Sequence, residues 1–411
     1  MIHSNIVIYA VVLFASISVA PAADLDAAIR EHRMGAITVE ASPGDEVRVE
    51  QIRHEFWFGA ALSNSPFSGR LSPDDTRRYK ETFLANFNAA VTENALKWHD
   101  MEPRRGQVNY ATVDAILEWT EAHDIPLRGH NIFWGIPNRV QPWVKELNDA
   151  DLRQVLHDRA TTIAARYKGR FAEYDLNNEM IHANYYEDRL GPEITHQMAS
   201  WVKSADPDAI LYLNDYDILT GRRLDDYLKQ IRTLQAQQAA IDGIGVQGHL
   251  HGDSFDPQAL RRALDELART GLPIRVTEFN FPGQRSSVYG KRDVRLTDEQ
   301  EQAKARAITD YYRICFAHPA VEGILMWGFW EGANWIAQSS LYRRDWTATP
   351  AADAYRDLIY NQWWTNAKTR TDADGRAIIP AFLGKHSVTV RNQSRIVHLT
   401  KANRQRVVSF R

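Results

Sequence analysis

Eight short apolar runs, alternating with stretches of helical spacing, constrain this chain more than any other feature. The runs are Glu55–Leu62, Phe87–Thr92, Pro126–Phe133, Glu173–Asn178, Ala209–Asn214, Asp242–Gln247, Pro273–Glu278 and Val321–Trp327. Helical periodicity falls between and after them, at Thr112–His123, Asp149–Lys168, Pro192–Ser204, Leu224–Gln238, Pro257–Thr270, Thr297–Ala317 and Pro350–Gln362, with Ser72–Ala85 filling the first gap. Asp256-Pro257 opens one of these helices and Thr270-Gly271 stops it, the residue types that begin and end helices. Strand–helix alternation repeated eight times predicts an α/β fold, a closed parallel (β/α)8 TIM barrel. A doubly wound nucleotide-binding sheet would carry a G-x-G-x-x-G turn or a P-loop, and the sequence has neither.

The candidate strands end in polar or aromatic side chains: Glu93-Asn94, His130 and Trp134, Asn178-Glu179, Asn214-Asp215, Gln247 and His249, Glu278, and Trp327. A barrel of this kind collects its C-terminal strand ends into one mouth, where its chemistry sits. The pattern therefore places these groups together.

The two ends of the chain differ from the middle. Ile6–Val19 is apolar throughout and is followed by Ala20-Pro21-Ala22. A short apolar core before small residues at A-x-A spacing reads as a secretory signal, with cleavage near Ala22 and a secreted or periplasmic product. The division that follows is residues 1–22 as signal, 23–54 as an N-terminal helix and β-hairpin, 55–362 as the barrel, and 363–411 as a β-strand extension. The hairpin pairs Ala36–Ala41 with Glu46–Gln51 across Ser42-Pro43-Gly44-Asp45. The extension alternates apolar and polar residues at His386–Arg391, Arg395–Thr400 and Gln405–Phe410, and carries ten Lys and Arg against Asp372 and Asp374. It is expected beside the hairpin as a small β-rich appendage at the barrel floor. Its basic face is either simply solvated or an attraction for an acidic polysaccharide. The whole chain carries a net charge of only −3, which argues against a dedicated nucleic-acid binder. No other segment suits a membrane, and one Cys rules out a disulfide scaffold.

Two strand-end carboxylates carry the chemistry. Glu179 follows the fourth run and Glu278 ends the seventh, and a carboxylate is costly to bury without a purpose. Two facing carboxyls in a mouth rich in Trp are what glycoside hydrolysis requires: one protonates the leaving oxygen, and the other attacks or assists at the anomeric carbon. A salt-bridged structural pair is the plainer alternative. Metal chemistry is another, because His249-Leu250-His251 and His130 lie near the same mouth; against it, the neighbouring amides Asn178 and Gln247 are poor zinc ligands. Cys315, in the aromatic stretch YYRICF, reads as core.

In combination these residues resemble glycoside hydrolase family 10, the retaining endo-1,4-β-xylanases, and its plant-type branch in particular. The matching pieces are Thr92-Glu93-Asn94-Ala95-Leu96-Lys97-Trp98, Arg128-Gly129-His130-Asn131-Ile132-Phe133-Trp134, Asn177-Asn178-Glu179-Met180, Asn214-Asp215-Tyr216, Gln247-Gly248-His249, Val276-Thr277-Glu278, and Trp327 with Trp335. The resemblance implies that Glu179 is the general acid and later the general base, and that Glu278 is the nucleophile. It implies that His249 donates to Glu278, that Asn178 meets the 2-hydroxyl of the reacting sugar, and that Gln247 lies beside Glu179. Glu93, Asn94, Lys97, His130 and Trp134 would line the glycone side, Tyr216 would join the cleft, and Trp327 and Trp335 would close over the sugar. Xylan or xylo-oligosaccharide is the implied substrate, with no metal or cofactor and a monomeric enzyme.

Three departures stand out. Gly135-Ile136-Pro137 replaces the family's usual His-Ser-Gln. Asn280 stands where an Asp commonly braces the histidine, and a neutral amide cannot stabilise a charged ring. Phe329-Trp330 adds an aromatic near Trp335, which is expected to reshape the subsites. The rival readings keep the barrel but cut another β-glycan or a glycosylated small molecule, or bind glycan without cutting it.

Overall fold

The computed structural model describes residues 22–411; the apolar segment read as a secretory signal lies outside them, apart from Ala22 at the start of a helix. The barrel is built from β3 (Trp57–Leu62), β4 (Ala89–Thr92), β5 (Leu127–Gly129) with β6 (Phe133–Trp134), β7 (Glu173–Asn178), β8 (Leu211–Asp215), β9 (Gly243–Val246), β10 (Ile274–Phe279) and β11 (Val321–Met326), after two earlier strands, β1 (Met34–Glu40) and β2 (Glu46–His54). All neighbours in the barrel are parallel, β11 pairs back onto β3, and β5 pairs with both β4 and β7. The sheet is thus closed, as the strand–helix alternation predicts.

The third strand differs from the expectation of one run, Pro126–Phe133. It is split because the His130 backbone bonds to a side chain instead of a strand: Thr92 Oγ1 accepts from His130 N–H at 2.9 Å and donates to its carbonyl at 3.1 Å. Pairing resumes where Ile132 N–H meets Asp175 O at 2.9 Å.

The surrounding helices start where their caps dictate. Ser72 caps Pro73–Asn86, Asn148 caps Asp149–Arg166, and Thr297 with Gln300 forms a complete capping box before Asp298–Ala317. Their apolar faces, including Phe83, Leu156, Ile163 and Tyr312, are fully buried against the barrel. Among the described residues no helix is long and apolar enough to cross a membrane.

The appendage is a two-layer β-sandwich. The later strands are β12 (Asn366–Arg370), β13 (Arg376–Phe382), β14 (Gly384–Val390), β15 (Gln393–Leu399) and β16 (Gln405–Ser409). One sheet has the order β13-β1-β16 and the other β12-β2-β14-β15. This corrects the hairpin: β1 and β2 are joined by the expected turn, yet they enter different sheets. Their alternating apolar residues, Ile37 and Val39 on one and Val47 and Val49 on the other, all lie in one buried cluster between the layers. Face-to-face packing buries both stripes, which edge-to-edge pairing would leave bare on one side. The basic excess of the C-terminal segment is met partly by acids of the first two strands and their turn, through Lys368–Glu46 at 3.1 Å, Arg376–Glu40 at 3.8 Å and Arg391–Asp45 at 3.0 Å.

The sandwich sits at the N-terminal ends of the barrel strands, the end opposite the mouth. Buried Arg33 fastens it there, donating from Nε to Phe316 O at 2.6 Å and from Nη2 to His318 O at 2.6 Å and Val321 O at 2.7 Å. These carbonyls end the last long barrel helix and begin β11, so one guanidinium satisfies three acceptors left open by that connection.

Candidate active site

The C-terminal strand ends enclose a cleft of about 590 Å³. Glu93, Asn94 and Lys97 reach it from beyond β4, His130 and Trp134 from the third strand, and Glu179 from the end of β7. Tyr216 follows β8, Gln247 and His249 follow β9, Glu278 lies within β10, and Trp327 and Trp335 come from beyond β11. Asn178 lies buried beneath this lining and is not part of it. Ile136, Asn138, Arg139, His99, Asp100 and Gln284 also face the cleft, and the sequence reading did not single out any of them as site residues.

Glu179 sits in left-handed backbone, φ 61°, a conformation that costs a non-glycine residue energy and clusters at functional positions. Its N–H donates to Asn214 O at 2.9 Å, holding the residue against β8. One carboxyl oxygen accepts from Gln247 Nε2 at 2.9 Å and the other from Trp134 Nε1 at 2.9 Å. Burial pushes its pKa above the ordinary range and the Glu278 charge adds to the rise, while the Gln247 and Trp134 bonds oppose it.

Glu278 is tuned the other way. Burial alone would raise it, but His130, the bond to His249 and Lys97 outweigh that and hold it at about 2. Asn214 Nδ2 donates to its Oε1 at 2.9 Å, and His249 Nε2 lies 3.3 Å from Oε2. Asn214 is itself fixed by Thr277 Oγ1, which donates to Oδ1 at 2.7 Å, and by its own donation to Asn178 Oδ1 at 3.0 Å. Asn178 Nδ2 has no hydrogen-bond partner in this buried position. Two carboxyls in one cleft are thus pushed apart, one toward the acid and one toward the anion, the division of labour that acid–base and nucleophilic roles demand.

Behind the cleft a charged network fills the barrel interior. Arg128 bonds both Glu173 and Asp175, Arg275 donates to Glu173 at 3.1 and 2.9 Å, and Asp175 Oδ2 lies 2.7 Å from His130 Nδ1. The His130 ring nitrogen is in turn 3.9 Å from Glu278. Glycines make room for the guanidiniums: a Cβ at Gly245 would stand 2.9 Å from an Arg128 nitrogen, and one at Gly323 only 2.5 Å from an Arg275 nitrogen. Asp175 was not among the sequence candidates, although a signal was present. Arg128, Glu173, Asp175 and Arg275 are charges inside runs otherwise fit for burial, and buried charges come in partnered sets.

The histidines do not gather around one point. His249 Nδ1 lies 3.1 Å from Asn280 Oδ1, whereas His251 Nε2 lies 3.0 Å from Asp217, and the two rings are 6.5 Å apart. Asn280 Nδ2 is buried without a partner. Cys315 is buried core, its thiol pKa pushed up by desolvation.

Nor do Phe329 and Trp330 enter the cleft. Phe329 packs on Tyr79 with ring centroids 4.6 Å apart, and Trp330 stacks on Trp346 at 4.3 Å. That overturns the expectation that this aromatic insertion reshapes the subsites: neighbouring rings draw both side chains into packing. Trp335 does face the cleft, 5.5 Å from the His249 ring, and its Nε1 is buried without a partner. Tyr216 has one face covered by the His182 ring, 3.6 Å away and 5° from parallel.

Residues 49–358 match the family model described as Glycosyl hydrolase family 10. Endo-1,4-beta-xylanase 1 of Arabidopsis thaliana is 35% identical over 351 residues, which are 84% of this chain and 34% of that protein. A protein of Acetivibrio thermocellus named as an anti-sigma-I factor is 33% identical over 367 residues, 88% of this chain and 45% of its own length. The chain therefore spans between a third and a half of the length of these curated relatives. Among solved structures, native xylanase 10B from Thermotoga maritima is similar with a TM-score of 0.67 and 26% identity, over 75% of this chain and 96% of that one.

Proposed function

The chain belongs to glycosyl hydrolase family 10, and from that premise we propose that it is an endo-1,4-β-xylanase, cleaving internal β-1,4-xylosidic bonds of xylan with retention of configuration. The observation that carries the reading is the opposite tuning of Glu179 and Glu278 within one cleft.

In the first step the Glu278 carboxylate attacks the anomeric carbon. The bond to the leaving oxygen breaks as that oxygen takes the Glu179 proton. In the second, Glu179, now ionised, removes a proton from water, which attacks the same carbon and releases Glu278. The bonds from Gln247 and Trp134 hold Glu179 in place through both steps. Trp335 faces the cleft with a buried Nε1 that has no partner, a donor suited to a sugar hydroxyl. Export belongs to the same proposal, supported by the apolar segment Ile6–Val19 and the small residues after it.

Product analysis on xylan, mannan, cellulose and mixed-linkage glucan tests the substrate, and NMR of the first-formed anomer tests retention. Activity confined to another glycan would replace xylan, and an inverted anomer would remove the double displacement. The rival reading is a cleft that binds glycan without turnover. Xylan binding with no product from the intact chain would decide for that reading.

A further inference from the structure

After Trp134 the chain folds back on itself. Arg139 N–H donates to Ile136 O at 2.7 Å, closing a four-residue turn with Pro137 and Asn138 at its centre. Proline suits the second position of such a turn because its φ is already set. The residues that replace His-Ser-Gln therefore have a structural product: they return Arg139 over the Trp134 ring, with Cζ 5.0 Å from the ring centroid. The platform is itself fixed, because Trp134 Nε1 is bonded to Glu179. The guanidinium thus stands at a set position relative to the reacting groups.

Arg139 is exposed and faces the cleft. The nearby Asp100 lies 3.6 Å from His99, and among the described residues no carboxylate lies within 4.0 Å of the Arg139 nitrogens. The two central carboxyls of the cleft have partners of their own: Glu278 meets Asn214 and His249, and Glu179 accepts from Gln247 and Trp134. A guanidinium held over an indole keeps N–H groups for a carboxylate, which it can bind through two parallel bonds.

We propose that Arg139 recognises the carboxylate of a uronic acid branch, so that this cleft prefers acid-substituted xylan to the neutral chain. The inference rests on the xylan reading of the same cleft. It names the residue and the branch chemistry that this reading leaves open.

The test uses matched oligosaccharides, one carrying a uronic acid branch and the other the same branch with its carboxyl reduced to the alcohol. Binding is followed by calorimetry and turnover by kcat/KM, both for the intact chain and for Arg139→Gln. The parent should favour the acid form about five- to tenfold in both measures, with the preference shrinking as salt is raised. Arg139→Gln should bring the ratio close to one, and Arg139→Lys should retain part of it. Equal use of both forms by the parent, or an equal loss on both in Arg139→Gln, overturns the proposal. Binding preference without any turnover would leave the proposal standing and defeat the hydrolase reading instead.

Discussion

Trp134 Nε1 donates to Glu179 Oε2 across 2.9 Å, which ties the candidate acid to the ring beneath Arg139. A donor favours the ionised carboxylate, so its removal should help Glu179 keep its proton. Trp134→Phe is expected to move the alkaline limb of the kcat/KM pH profile upward while lowering turnover about tenfold. An alkaline limb that stays in place would mean that the bond does not tune the acid.

Glu179→Gln and Glu278→Gln should each remove most turnover without loss of fold, read by initial rates and circular dichroism. Azide should partly restore activity to Glu179→Ala on activated aryl glycosides, because a small anion attacks the glycosyl-enzyme without base assistance. The same anion should leave Glu278→Ala without a retained product. Rescue confined to Glu278→Ala would reverse the two assignments.

The opposite shifts also predict opposite effects on stability. Glu278 is held at about 2, below its ordinary 4.5, so its contribution is complete above the ordinary value and disappears as pH falls through about 2. Glu179 is raised, so the unfolded chain releases that proton first and stability falls as pH rises through the gap. At neutral pH Glu278→Gln should therefore destabilise the fold by roughly 1–3 kcal/mol, while Glu179→Gln should stabilise it. Thermal unfolding at neutral pH and again near pH 3 measures both signs. A common direction of the Tm change in the two variants would contradict the opposite tuning.

Asn280 meets His249 with a neutral amide. Asn280→Asp places a negative charge against the same ring nitrogen and favours the imidazolium. NMR of the His249 ring should show both nitrogens protonated to higher pH in the variant than in the parent. Identical titration of the ring in the two proteins would show that the brace does not control its charge.

Arg33→Met should test the fastening of the sandwich. Three carbonyls, two of them buried, would lose their donor, at a cost of about 3 kcal/mol. Tm should fall, while kcat/KM of the folded enzyme stays unchanged because the cleft lies at the other end of the barrel. A loss of kcat/KM with unchanged Tm would contradict this division.

Much of this architecture is legible in the sequence because burial leaves a period. Val321–Met326 and Glu173–Asn178 are apolar or fully buried runs between capped helices, and their ends carry the cleft. What escaped reading has no such period. Most of Asn366–Arg370 is exposed on the sandwich surface, so its sequence NAKTR shows no alternation. The hairpin failed because Ile37 and Val49 specify a buried face but not which sheet each strand joins. The role of Asp175 is not legible because it depends on His130, 45 residues earlier, and spacing along a chain does not reveal such a contact. Arg139 depends likewise on a turn that returns it to Trp134.

The pairing of β1 with β16 places Ala36 beside Gln405, and this sets an order for biosynthesis. A ribosome delivers the barrel strands long before the final partner of the first sheet. Until that partner emerges, Ile37 and Val39 lack part of their cover, and the early strand edge is open to pairing with other chains. A chain stopped short of Gln405 would therefore keep one edge of β1 bare at the base of the barrel.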